Sequence, residues 1–95
     1  MPDRPQLCLI IYDIADNRRR RKLAAVLEVV AARVQESAFE ARLTTAQLGR
    51  LRRKLSPHVT ADDSLRIYTV PDTALARCHV HGGPMIADGA RFWLI

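Results

Sequence analysis

Cysteine is scarce in this chain: two residues in 95 cannot build a disulfide framework, and no second cluster stands at metal-ligand spacing. Cys8 lies inside an apolar run and Cys78 adjoins His79, so the expected setting is a reduced, cytoplasmic one. Long apolar runs are missing as well. The run at residues 7–12 ends at Asp13, too short for the core of a secretory signal and far too short to span a bilayer, so no membrane partner is expected. The four glycines, Gly49, Gly82, Gly83 and Gly89, form no phosphate-cradling loop. His79 and His81 alternate without a third ligand, and Ser37 has no His/Asp pair beside it, so neither a histidine metal site nor a serine nucleophile is expected. Disorder is excluded by an apolar content of 48%.

Acid is the scarcer charge. Fifteen Lys and Arg against ten Asp and Glu give a net charge of +5, and only Lys22 and Lys54 among the cations are not arginine. A basic balance is the electrostatic footprint of a polyanion binder, and arginine favours planar, bidentate contact with phosphate. A soluble basic surface with no such partner has the same composition.

A chain of this length makes one domain that buries only about 60–65% of the surface its unfolded form exposes. Residues 6–12 (QLCLIIY) are apolar on both faces, as in a central strand covered on both sides. After the polar turn DIADN, the residues Leu23, Val26, Leu27 and Val30 repeat at helical spacing, which predicts a helix over about 17–32 with Asp16 as its N-cap. In residues 33–43, Phe39, Ala41 and Leu43 share one parity and Val34 the other, which requires a bulge or tight turn near Glu36 and Ser37. Thr44 and Gln47 have capping-box spacing, Leu48, Leu51 and Leu55 mark a second helix, and Ser56-Pro57 stops it. Residues 64–70 (SLRIYTV) alternate as a further strand, and residues 76–80 read as a short one.

This order predicts an α+β fold: a ferredoxin-like βαββαβ sandwich with an antiparallel sheet and two helices on one face. Its core spans about residues 6–81. The last five residues, RFWLI, are too apolar to leave in water. They form an additional C-terminal strand that either completes the chain's own sheet or pairs with a neighbour's edge. The second option is preferred, so residues 82–95 pack on the other protomer of a homodimer. Phe92 and Trp93 read as packing anchors of that tail.

Asp13 is the first candidate for chemistry, because it stands at the carboxyl end of a two-sided apolar strand. It reads as a divalent-metal ligand or as a turn aspartate bonded to local amides. One carboxylate cannot build a magnesium site, but two copies of Asp13 meeting across a two-fold axis bring together a pair. Arg18, Arg19, Arg20, Arg21 and Lys22 crowd the start of the first helix, where cations oppose the macrodipole; an anion held there, phosphate above all, gives them a purpose. Arg50, Arg52, Arg53 and Lys54 form a second cluster that a solvated helix face would also explain.

The run LIIYDIADNRRRRKLAAVL followed by ARVQESAFEARL resembles the family of CRISPR-associated protein two, the small partner of the CRISPR spacer integrase. The carrying residues are Tyr12-Asp13-Ile14, Asp16, the basic stretch Arg18 to Lys22, then Arg33-Val34-Gln35 with Ser37, Phe39 and Glu40; DDSLRIYTV resembles the family's fourth strand. Where the family has a glycine before R-V-Q, this chain has Ala31-Ala32. The resemblance implies a ferredoxin-like homodimer whose C-terminal strand pairs with the partner's sheet. It also implies one Mg2+ per dimer shared by the two Asp13 copies, and Arg20, Arg33, Ser37 and Phe39 as supporting residues near the dimer cleft.

Two functions are implied by that resemblance. In the preferred one the dimer is a component of spacer acquisition that bridges integrase subunits on duplex DNA, with Arg18 to Lys22, Arg50 and Arg53 on phosphates. In the other, Asp13 is the catalytic residue of a magnesium-dependent endonuclease acting on RNA or DNA. A toxin-type nucleic-acid-binding module with no integrase partner is the third reading.

Overall fold

In the computed structural model, residues 3–86 are described. Strand β1 (Gln6–Asp13) leads through a short loop to helix α1 (Asn17–Val30), then strands β2 (Ala32–Gln35) and β3 (Ala38–Leu43), helix α2 (Thr45–Leu55) and strand β4 (Ser64–Val70), with 3-10 turns at Ser56–His58 and Asp72–Arg77. The sheet is antiparallel throughout in the order β2-β3-β1-β4. The expected βαββαβ order and sheet are present.

Local sequence accounts for each boundary. The Asp16 carboxylate accepts from the Arg19 backbone N–H at 2.9 Å and starts α1. The helix ends at Val30, two residues sooner than expected, because Ala31 is extended with φ −138° and its N–H closes on the Leu27 carbonyl. No positive φ is needed at this exit, so alanine serves there without strain. Thr44 and Gln47 form the complete capping box of α2, and Asp3 adds two bonds to the Thr45 and Ala46 amides at 2.9 and 3.2 Å. Those amides hold the Asp3 carboxyl below its usual range. The conflict of parity after α1 is resolved by both devices at once: a register shift between Arg33 and Gln35, then a turn at Glu36 and Ser37.

Parity divides β1 between two faces. Cys8, Ile10 and Tyr12 stand opposite Ala41 and Phe39 on β3 and Thr69, Ile67 and Leu65 on β4, and this face carries the helices. Its core holds Leu23, Leu27, Leu51, Leu55 and Phe39, none with any exposed surface. Burial at this position pushes the Cys8 thiol up, opposed by Thr69. Leu7, Leu9, Ile11 and Asp13 line the other face. The segment after β4 crosses part of it, tied by an Arg42–Asp72 ion pair at 3.0 Å, with Leu75 and Ile86 packed on the core residues. Leu7 is thereby buried, while Ile11 and Tyr68 stay 37% and 48% exposed.

The strand expected over residues 76–80 does not form. Arg77 ends a 3-10 turn, the Cys78 N–H bonds the Leu75 carbonyl at 3.0 Å, and residues 79–84 lie against Val34, Gln35 and Glu40 without a ladder. The additional C-terminal strand expected at residues 91–95, with Phe92 and Trp93, lies outside the described residues, as does most of the segment expected to pack on a partner.

Candidate nucleic-acid interface and carboxylate site

One end of the sheet gathers most of the candidate residues. Asp13 closes β1 there, opposite Ser64, the first residue of β4. Helix α1 begins at that end, three residues after the strand, and α2 arrives at it. Arg19 ties α1 to the 3-10 turn after α2 by donating to the His58 carbonyl at 3.3 Å.

The five cations of α1 divide into two groups by helical phase. At about 100° per residue, Arg19 and Arg20 flank the buried stripe of Leu23, Leu27 and Val30, while Arg18, Arg21 and Lys22 sit at i, i+3 and i+4 on the opposite side. Arg20 folds back to donate to the carbonyls of Ile14 at 2.8 Å and Ala15 at 3.4 Å, bracing the loop that follows Asp13. Arg19 pairs with Asp63. The Asp63 Oδ2 also accepts from the Thr60 amide at 2.8 Å and hydroxyl at 3.0 Å. The Thr60 amide first, the Arg19 guanidinium second and the Thr60 hydroxyl after them lower the Asp63 carboxyl to about 2. Arg18, Arg21 and Lys22 remain exposed, and the first turn contains no acid.

Arg50, Arg53 and Lys54 repeat the i, i+3, i+4 pattern on α2 and are exposed. Arg52, Arg53 and Lys54 fall in its last turn, where the macrodipole favours them. The α1 trio lies opposite the buried stripe of its helix, whereas Arg53 of the α2 trio lines a groove with Leu65 and Ile67 of β4. Of the five α1 cations expected to meet phosphate, Arg19 and Arg20 are engaged with protein acceptors, and Arg18, Arg21 and Lys22 are exposed.

Asp13 is exposed, and its side chain makes no hydrogen bond or ion pair among the described residues. It lies in one row with Leu9 and Ile11 on the sheet face that carries no helix. Asp16 is occupied as the α1 cap, as expected. No group of three or more potential metal ligands occurs among the described residues. A hard divalent cation needs several oxygen ligands, and within one chain Asp13 supplies a single carboxylate, which makes no magnesium site by itself.

The remaining candidates gather around Tyr12, the neighbour of Asp13 in the chain, on the helix-bearing face of the sheet. Arg33 lies over the Phe39 ring at 4.7 Å, and Phe39 stacks on Tyr12 with centroids 6.2 Å apart. Arg33 also bonds Glu28 at 2.8 Å, the main cause of its raised pKa, and donates to the Glu36 carbonyl. The Tyr12 hydroxyl reaches that carbonyl at 3.4 Å, and its amide bonds the Ser37 carbonyl at 3.1 Å. Phe39 has no exposed surface, so it supports Arg33 from beneath and touches no ligand. Arg20 and Arg33 thus brace the loop after Asp13 and the turn containing Ser37. Tyr12, Glu28 and Asp63 join the site through contacts that sequence spacing does not mark. The T-x-x-D spacing of Thr60 and Asp63 signals a local turn, but its arginine partner stands 44 residues away.

No helix among the described residues is long and apolar enough to cross a membrane. The chain matches the family described as CRISPR associated protein Cas2 over residues 6–78. It is 45% identical over 80 residues to a protein of Mycobacterium tuberculosis named CRISPR-associated endoribonuclease Cas2, covering 84% of this chain and 71% of that one. A hypothetical protein from Thermus thermophilus superposes with a TM-score of 0.75 at 38% identity, over 85% of this chain and 96% of that chain. A chain from a structure described as a partial Cas6-RT-Cas1–Cas2 complex gives a TM-score of 0.64 at 25% identity, over 79% and 89%. With the βαββαβ sheet, the Y-D-I strand end and the R-V-Q element all in place, the chain belongs to the CRISPR-associated protein Cas2 family.

Proposed function

We propose that this chain is the nucleic-acid-binding adaptor of spacer acquisition: a homodimer that lies across duplex DNA and bridges the integrase subunits bound at its ends. The observation that carries this reading is the division of labour at the start of α1. Arg19 and Arg20 are committed to protein acceptors, whereas Arg18, Arg21 and Lys22 form an exposed face with no acid in the first turn. Such a face repels itself and the macrodipole unless an anion is present. Arg50 and Arg53 continue the same polarity on α2. Contacts of this kind track phosphates and leave bases unread, so binding is sequence-tolerant and steeply salt-dependent. The similar chain in a Cas1–Cas2 complex supports an integrase partner. The uncovered sheet face around Ile11 and Tyr68 supports a second copy as the other partner.

A second reading, a magnesium-dependent endonuclease on RNA or DNA, is favoured by Asp13 itself and by relatives named endoribonuclease. Two open faces pairing about a two-fold axis bring two Asp13 carboxylates together and so complete the ligand set that one chain half-supplies. Bound there, a magnesium ion would polarise a phosphodiester and lower the pKa of a coordinated water. The protein's own part is to hold the carboxylate in place: Arg20 braces its loop and Ser64 its strand. Duplex binding as a function of salt, with Arg18, Arg21 and Lys22 changed to Gln, tests the first reading. Cleavage by Asp13→Ala tests the second.

A further inference from the structure

The outward face of α1 changes chemistry halfway along the helix. At about 100° per residue, Arg18, Lys22, Ala25 and Val29 fall in one narrow sector, so a basic half is followed by an apolar one. Val29 is 76% exposed, although a β-branched residue is a poorer helix former than Ala or Lys. Beside it, Val26 and Val30 meet Leu51 and Lys54 of α2 around a groove of about 190 Å³. A single apolar residue on a surface is ordinary. Four of them lining one recess make a seat for an anchor side chain. A cavity of about 150 Å³ accepts a benzene ring, so this groove has room for one side chain the size of leucine or phenylalanine.

The surroundings of the groove have one sign. Helix α1 carries five cations and α2 four, and the single acid on either helix is Glu28. Glu28 stands on the side of α1 opposite Val26 and bonds Arg33 of β2 at 2.8 Å, so its carboxylate is drawn away from the groove. Lys54 lines the groove itself, and Lys22 lies one turn before Val26 on the same helix.

We propose that this groove docks an acidic segment of a protein partner, which inserts one apolar side chain between α1 and α2 and sets its carboxylates against Lys22 and Lys54. The inference is independent of the adaptor and endonuclease readings, since neither uses Val26, Val29 or Val30. Other occupants match the lining less well. Single-stranded bases stack on aromatic rings, and none lines the groove. A bilayer takes up apolar side chains that protrude, whereas Val30 and Leu51 are buried at the bottom of a recess. Two copies meeting by this face would set like charges against each other.

Short random peptides displayed on phage are the probe. Selected on the wild-type protein, they should converge on sequences in which Leu, Ile or Phe stands among Asp and Glu. A selected peptide, labelled and followed by fluorescence anisotropy, should bind about tenfold or more weakly to Val29→Asn and to Lys54→Glu, as for loss of an anchor contact. Asn has about the helix propensity of Val, so circular dichroism and thermal midpoint of Val29→Asn should stay those of the wild type, and its affinity for duplex DNA should be kept. Peptides without an acidic bias, or peptides that bind both variants as well as the wild type, overturn the inference, as does a selection that enriches nothing. Equal loss of duplex affinity in Val29→Asn overturns it by giving the groove to nucleic acid. Binding to vesicles of anionic lipid that Val29→Asn abolishes gives it to a membrane, and a smaller oligomer for Val29→Asn in light scattering gives it to a second copy; either result overturns the inference.

Discussion

Arg19 in the first turn of α1 and Asp63 just before β4 form an ion pair across 44 residues of chain. Asp63 adjoins Ser64, the register partner of Asp13, so the pair joins the helix start to the strand that flanks the candidate carboxylate. Its pH dependence has a definite sign. The folded carboxyl titrates near 2, below its unfolded value of about 3.9. The stability it contributes is present in full above about pH 4 and is lost as pH falls through about 2. In acid unfolding followed by circular dichroism, Asp63→Asn should flatten the wild-type limb between those values. An unchanged limb would show that the pair contributes nothing.

The two cation groups of α1 should separate by experiment. Each cation withdrawn from a phosphate lowers the slope of log K against log salt by about 0.9. Arg18→Gln, Arg21→Gln and Lys22→Gln together should therefore flatten the slope for duplex DNA by about 2–3 units for each protomer in contact, about 5 for the dimer. Arg20→Gln should lower thermal stability instead, by freeing the carbonyls of Ile14 and Ala15. A slope untouched by the triple change contradicts the phosphate assignment.

Much of this was legible in the sequence, and the limits have physical causes. Helix phase, capping spacing and the parity conflict after α1 are local properties, and they placed the caps at Asp16 and Thr44 and the turn at Glu36. The same phase separates Arg19 and Arg20 from Arg18, Arg21 and Lys22 once Leu23, Leu27 and Val30 are taken as the buried stripe. The partners of those two arginines are long-range or main-chain groups, which no spacing reveals. Residues 76–80 alternate like a strand but form none, because pairing depends on a neighbour and not on pattern alone.

Phe39 joins core and site, so its truncation should act on both. Phe39→Ala removes a fully buried ring and should cost about 3–5 kcal/mol in urea unfolding, a large share of the roughly 5–15 kcal/mol typical of a domain. Arg33 would lose the ring beneath it. A cost below about 1 kcal/mol, the range of volume-conserving swaps, would mean that the Tyr12–Phe39–Arg33 stack is not formed.

Asp16 and Asp13 should behave differently although only two residues separate them. Asp16→Ala removes the α1 cap and should cost about 1 kcal/mol of stability, with duplex affinity kept. Asp13→Ala removes an exposed carboxylate without a protein partner among the described residues and should leave the unfolding midpoint in place. Loss of stability from Asp13→Ala alone would return that residue to the role of a turn aspartate.

The most direct measurement compares purified wild type with Asp13→Ala for duplex binding, and for cleavage of single-stranded RNA and duplex DNA with magnesium and with chelator. The adaptor account predicts equal duplex affinity and salt slope for the two proteins, and no cleavage that depends on Asp13. Cleavage that needs both the metal and Asp13 would contradict it and establish the endonuclease in its place.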